Sequence, residues 1–115
     1  MPLRPSRSSN PYHPQARMGE KRGRRRLKAV RRQIDSLDEQ ILKLVNRRAK
    51  LALKIGRIKK RRKWPVFDAK RETFVLKHMQ QANGGPLSSG AIRTIFRTLL
   101  SQCRRRERSS GRKRQ

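Results

Sequence analysis

The chain is predicted to be all-α, with one long and two shorter helices, and to complete itself as a helical homodimer. Three observations predict this. First, Leu27, Val30, Ile34, Leu37, Ile41, Leu44, Arg48, Leu51, Ile55 and Ile58 follow one another at alternating steps of three and four. That spacing puts side chains on one stripe of a long helix. Second, no stretch alternates apolar and polar residues with the period of a strand. Third, the helix-breaking signals gather at Trp64-Pro65 and at Asn83-Gly84-Gly85-Pro86, which divide the remainder into three segments.

In chain order, residues 1–26 hold four of the six prolines and eight Lys/Arg against one Glu, with few aliphatics. Such a segment buries too little surface to offset its ordering entropy, so a disordered basic arm is expected there. The long helix is expected to begin near Arg24 to Leu27 and to end by Lys63, because the residue before a proline is pushed out of helical geometry. Asp35, Asp38 and Glu39 lie in its early turns, and Lys59-Lys60-Arg61-Arg62-Lys63 closes it, the polarity its dipole favours. Asp68 is a suitable N-cap for a second helix reaching about Ala82, with Val75, Leu76 and Met79 available to pack. Trp64 is expected to anchor the loop over the helix ends. Ser88 or Ser89 can cap a third helix, whose stripe Ile92, Ile95, Phe96, Leu99 and Cys103 leads toward Glu107. Residues 109–115 read as a basic tail, leaving 27–108 as the folded domain.

The long seam has one anomaly. Arg48 stands among aliphatic neighbours, where a guanidinium without a partner costs several kcal/mol, so either an anion meets it or the side chain snorkels out to solvent and Lys59 is one more solvated lysine. Lys59, eleven residues on, returns to within roughly 20° of Arg48 on the same face. About 36 residues of helix extend roughly 54 Å, longer than two short helices can cover. A second copy of the chain is therefore expected to complete the seam. Arg31, about 100° off the Arg48 line, is a candidate to reach the other subunit's site.

Composition bounds the chemistry. With 115 residues, 32% of them hydrophobic, there is room for one domain with a thin core. A formal net charge of +27 implies attraction to anions, either nucleic acid or an acidic small substrate. The single cysteine, Cys103, excludes an intrachain disulfide and a Cys-based zinc site. His13 and His78 are not spaced as metal ligands, and no metal is expected. No apolar run is long enough to span a bilayer, and a cytosolic location is expected.

Four motifs carry a resemblance to a family. Ile34-Asp35-x-Leu37-Asp38, Arg47-Arg48-x-x-Leu51-Ala52, Ile55-Gly56-x-Ile58-Lys59 and Asp68-x-x-Arg71-Glu72 fall in that order, followed by GPLSSGAIRTIFRTLLSQCRRRE. The stretch from about Leu27 to Arg108 resembles the all-helical chorismate mutases. The resemblance implies three-helix protomers intertwined in a dimer with two shared sites. It implies rearrangement of chorismate to prephenate, in the route to phenylalanine and tyrosine, without a cofactor.

It also implies roles. Arg48, with Arg31 acting in trans, would grip the substrate carboxylates, and Lys59 would donate to the ether oxygen and a carboxylate. Asp68, through its backbone, and Glu72 would meet the ring hydroxyl, while Arg71 would fix the loop and the anion. Cys103 stands where the family often has Ser, a weaker donor, and Glu107 stands beside the ether oxygen. Glu72 has an alternative in a local ion pair with Lys70. Two other readings are a basic helical nucleic-acid-binding dimer and a relative of the lyases that act on isochorismate. The lyases lose the acids of the fourth motif, which this chain keeps in Asp68 and Glu72. Nucleic acid is expected only as a secondary partner, through the basic tails.

Overall fold

The computed structural model describes residues 14–109, with side chains from residue 17 onward. Three helices follow one another: α1 (Pro14–Arg62), α2 (Ala69–Ala82) and α3 (Ser89–Ser109). Among the described residues there is no strand, and no helix is long and apolar enough to cross a membrane. The chain divides into two units, one up to Ile41 and one from Leu42.

The first unit contains the N-terminal part of α1, and here the structure corrects the sequence reading. The helix starts at Pro14 rather than near Arg24, so residues 14–26 are helical and not a disordered arm. Residues 1–13 and 110–115, where the rest of the arm and most of the tail were expected, lie outside the described residues. Composition was the wrong guide because extending an existing helix needs no new nucleus and no burial. Proline is tolerated at the first helical position, and Arg, Lys, Gln, Ala and Met are all good helix formers. Gly19 and Gly23 cost about 1 kcal/mol each and do not stop the propagation.

In the second unit, α2 and α3 pack on one another around Val75, Leu76 and Leu100, with Met79 and Phe96 against that cluster. The third-helix stripe is shifted from expectation: Leu100 is buried, whereas Ile95 is exposed. On α1, the small residues Ala52 and Gly56 are the buried positions, one turn apart on a single face.

The connections explain the turns. Trp64 N–H donates to Lys59 O at 2.8 Å and Lys63 N–H to Lys60 O at 3.2 Å, with Lys63 in the left-handed region at φ 58°. This is the Schellman termination, usually built on glycine, and a lysine at that position costs roughly 1–2 kcal/mol. The Trp64 ring does not cover the helix ends as expected; it is 58% exposed, and what fixes the turn is its backbone N–H. Asp68 caps α2 by accepting from Arg71 N–H at 3.0 Å, and Ser88 caps α3 by accepting from Ala91 N–H at 3.1 Å. Between them, Asn83 accepts from Gly85 N–H and donates to Leu87 O, and Gln80 donates to both Ser89 O and Ser89 Oγ.

With so few buried side chains, each is expected to matter. Leu100→Ala should lower stability by about 2–4 kcal/mol, read from the urea midpoint at fixed protein concentration. A loss below about 0.5 kcal/mol, the size of a surface substitution, would mean that the α2–α3 core lies elsewhere.

Candidate active site

Seven of the eight residues singled out from the sequence line one cavity of about 490 Å³ in the second unit. They are Arg48, Lys59, Asp68, Arg71, Glu72, Cys103 and Glu107. The eighth, Arg31, is exposed, belongs to the first unit and does not line it. Leu51, Ala52, Ile55, Val66 and Leu100 complete the wall with apolar surface.

α1 supplies Arg48 and Lys59 from one face, as their spacing requires. Lys59 is the more constrained. Its ammonium donates to Val66 O at 2.6 Å in the α1–α2 loop and to Glu107 Oε1 at 2.8 Å on α3. The side chains of the Lys59–Glu107 pair are only 17% and 14% exposed. An ammonium carries three donors, and these two bonds orient it with a third left for the cavity. Arg48 is half-buried, and no carboxylate of the described residues pairs with it. An anion that meets it is thus not a described side chain of the chain itself.

The turn into α2 supplies the next group. Because Asp68 is the N-cap, its side chain is committed to Arg71 N–H and its carbonyl accepts from Glu72 N–H at 3.0 Å. Arg71 also lies over the Phe74 ring, 5.4 Å from its centroid. Glu72 does not pair locally with Lys70. Its partner is Arg104 on α3, at 3.5 Å, and Arg104 in turn lies 5.1 Å from the Phe67 ring centroid. Arg104 was not singled out from the sequence, where it is one of three consecutive arginines and nothing local marks it. The Val66 carbonyl was also missed, since a backbone acceptor leaves no residue-type signal.

α3 supplies Cys103 and Glu107, one turn apart. Cys103 is a free thiol, 4% exposed, packed into the wall. The arrangement is a cleft with an apolar floor in which Arg48, Lys59 and Arg71 face Asp68, Glu72 and Glu107. Glu107 is engaged by Lys59 in a partly buried pair, Glu72 by Arg104 and Asp68 by the Arg71 N–H, so the carboxylates have partners from within the fold, whereas Arg48 has none among the described carboxylates.

Residues 30–108 match the family described as chorismate mutase type II. The bifunctional chorismate mutase/prephenate dehydratase of Pseudomonas aeruginosa is 43% identical over 82 residues, which are 67% of this chain and 22% of that protein. The Aquifex aeolicus protein of the same description is 38% identical over 81 residues. The chain thus spans about a fifth of the length of these relatives. A chorismate mutase structure from Thermus thermophilus superimposes with a TM-score of 0.70 at 31% identity, covering 72% of this chain and 96% of that one. Matched over most of its length in sequence and in fold, the chain belongs to the chorismate mutase type II family.

Proposed function

We propose that the cleft binds chorismate and rearranges it to prephenate. The observation that carries this reading is the convergence of Arg48, Lys59, Arg71 and Glu107 on one apolar-floored cavity. The reaction is unimolecular and pericyclic, so no nucleophile or cofactor is required. Catalysis consists of holding a flexible dianion in its chair-like reactive geometry and stabilising the charge that builds on the breaking ether oxygen.

In this reading Arg48 grips one carboxylate with its planar fork, which suits the task better than an ammonium. The remaining Lys59 donor serves the ether oxygen and a carboxylate. Glu72 and the Asp68 backbone meet the ring hydroxyl, with Arg104 holding Glu72 in place and Arg71 closing the loop side. Cys103 shapes the wall more than it binds, because a thiol is a weak donor. The reaction is proposed for the cytosol, where a buried free thiol persists.

The site is proposed to be completed by a second copy. Nine aliphatics at the seam positions of α1, five from Leu27 to Ile41 and four from Leu44 to Ile58, are 47–58% exposed in the single chain, and such apolar positions are of the kind that partner helices cover. Arg31 of the partner subunit is assigned the second substrate carboxylate. Sedimentation at micromolar concentration should give twice the chain mass; a folded, active monomer would refute the shared site. Arg48→Ala and Arg31→Ala should each be nearly inactive, and mixing them under subunit exchange should restore part of the activity. A mixed dimer has one site with both arginines and one with neither. Confirmed exchange without recovery would remove Arg31 from the trans role.

Glu107→Gln gives a further test. The ether oxygen gains negative charge and needs a donor, whereas an ionised carboxylate only accepts. In the structure Glu107 Oε1 accepts from the Lys59 ammonium. A glutamine at this position can accept from Lys59 through its carbonyl and donate to the ether oxygen through its amide. The variant is expected to match or exceed the parent's turnover at neutral pH. A folded, dimeric but inactive variant would show that position 107 does not serve the ether oxygen.

A further inference from the structure

A second cavity, of about 460 Å³, lies at the corner where α1 ends. It is lined by Lys60, Lys63, Trp64 and Arg108, together with Gly56, Pro65, Val66 and Glu107. None of its cations has a part in the proposed chorismate chemistry. We propose that this corner is a binding site for single-stranded nucleic acid, with Trp64 stacking on a base and Lys60, Lys63 and Arg108 neutralising the adjoining phosphates.

Four observations support the assignment. The Trp64 ring is exposed although it is the only tryptophan of the chain, and its backbone is pinned to Lys59 O, so the ring is presented on a fixed turn. An exposed aromatic between cations is the arrangement that binds bases by their faces and the backbone by its charge. The second observation is Lys63 itself. It occupies a left-handed position where glycine is the unstrained choice, so a cation is kept there at a conformational cost.

The third is the disposition of negative charge. Glu107, the acid on this wall, is paired with Lys59. The carbonyls of Lys59 and Lys60, two of the last four acceptors of α1, accept from Trp64 and Lys63. The fourth is the surrounding field. Arg61 and Arg62 precede the corner on α1, Arg105 and Arg106 lie beside it in sequence on α3, and the whole chain carries +27. Two substrate carboxylates do not call for that excess, whereas a phosphate backbone does.

A polyanion-binding surface of any kind would share the charge, and an acidic protein segment would share part of it. The aromatic ring makes the nucleic acid the better fit. This inference does not rest on the chorismate reading, and its test separates the two.

The full-length chain is titrated with a labelled single-stranded oligothymidylate of about 20 nucleotides at several salt concentrations, following anisotropy and the fluorescence of Trp64. Saturable binding with quenched tryptophan emission is expected, with log affinity falling linearly with log salt. Lys63→Gly should keep or raise the melting temperature and leave chorismate turnover unchanged. It should also weaken binding and reduce the salt slope by about 0.7, the loss of one phosphate contact on a single strand. Trp64→Leu should weaken binding about tenfold or more, the worth of one stacked base.

Several results would overturn the proposal: no binding at about 0.15 M salt, equal binding of a duplex of the same length, or polyphosphate or polyglutamate competing as well as the oligonucleotide. Affinities for both variants equal to that of the parent would do the same, placing any binding in the basic tails instead. Loss of chorismate turnover in the parent would leave this site untouched, and loss of oligonucleotide binding would leave the mutase reading untouched.

Discussion

In the second unit, α1, α3 and the loop between α1 and α2 meet at one ammonium group. Lys59 projects from α1, bonds the loop carbonyl of Val66 and ends on Glu107 of α3. The apolar cluster of Val75, Leu76 and Leu100 joins α2 to α3, whereas α1 contributes to burial chiefly through the small residues Ala52 and Gly56. Polar bonds therefore carry much of the alignment of α1 with α3 and with the loop that leads into α2. Charge-assisted bonds of this length are short and directional, and in a setting that excludes most water they hold position better than an apolar contact, which tolerates sliding. Every wall of the cleft depends on that alignment, since Arg48 is placed by α1, Asp68 and Glu72 by the loop, and Cys103 by α3.

The site was legible in the sequence to the extent that it was local. Arg48 and Lys59 were visible because a cation in an aliphatic seam violates the pattern around it, and helical periodicity then puts the second on the same face. Asp68 was visible as a cap, since capping chemistry involves residues three apart. What escaped were pairings across the fold. Arg104 reaches Glu72 over 32 positions of chain, and three consecutive arginines give no hint of which one turns inward. The start of α1 escaped for a different reason. Composition measures what a segment can bury, and residues 17–26 are exposed, yet a helix already nucleated downstream continues through them. Ile95, placed in the expected stripe, is exposed, and Leu100, outside it, is buried, because a stripe predicted from spacing says which residues share a face, not how far the neighbouring helix rotates that face inward.

Among the described residues no side chain is fully withdrawn from water within the single chain, and the most buried apolar residues are Ala52, Val75, Leu76, Leu100 and Cys103. That is a small store of hydrophobic free energy to set against the ordering of three helices. In the proposed dimer the missing burial comes from the second copy, so folding, association and site formation become one equilibrium. Stability then depends on protein concentration, and dilution removes the fold and the active site together.

The interruption of the aliphatic stripe by Arg48 has a consequence for assembly. Two uniformly greasy helices can slide past each other by a heptad at little penalty, and such pairs populate several offsets. A single guanidinium in the row makes the offsets unequal, because a slipped pairing sets it against leucine or isoleucine instead of over the cleft where an anion can reach it. The residue assigned to grip the substrate would thereby also select the one alignment of the two chains in which there is a site to bind it.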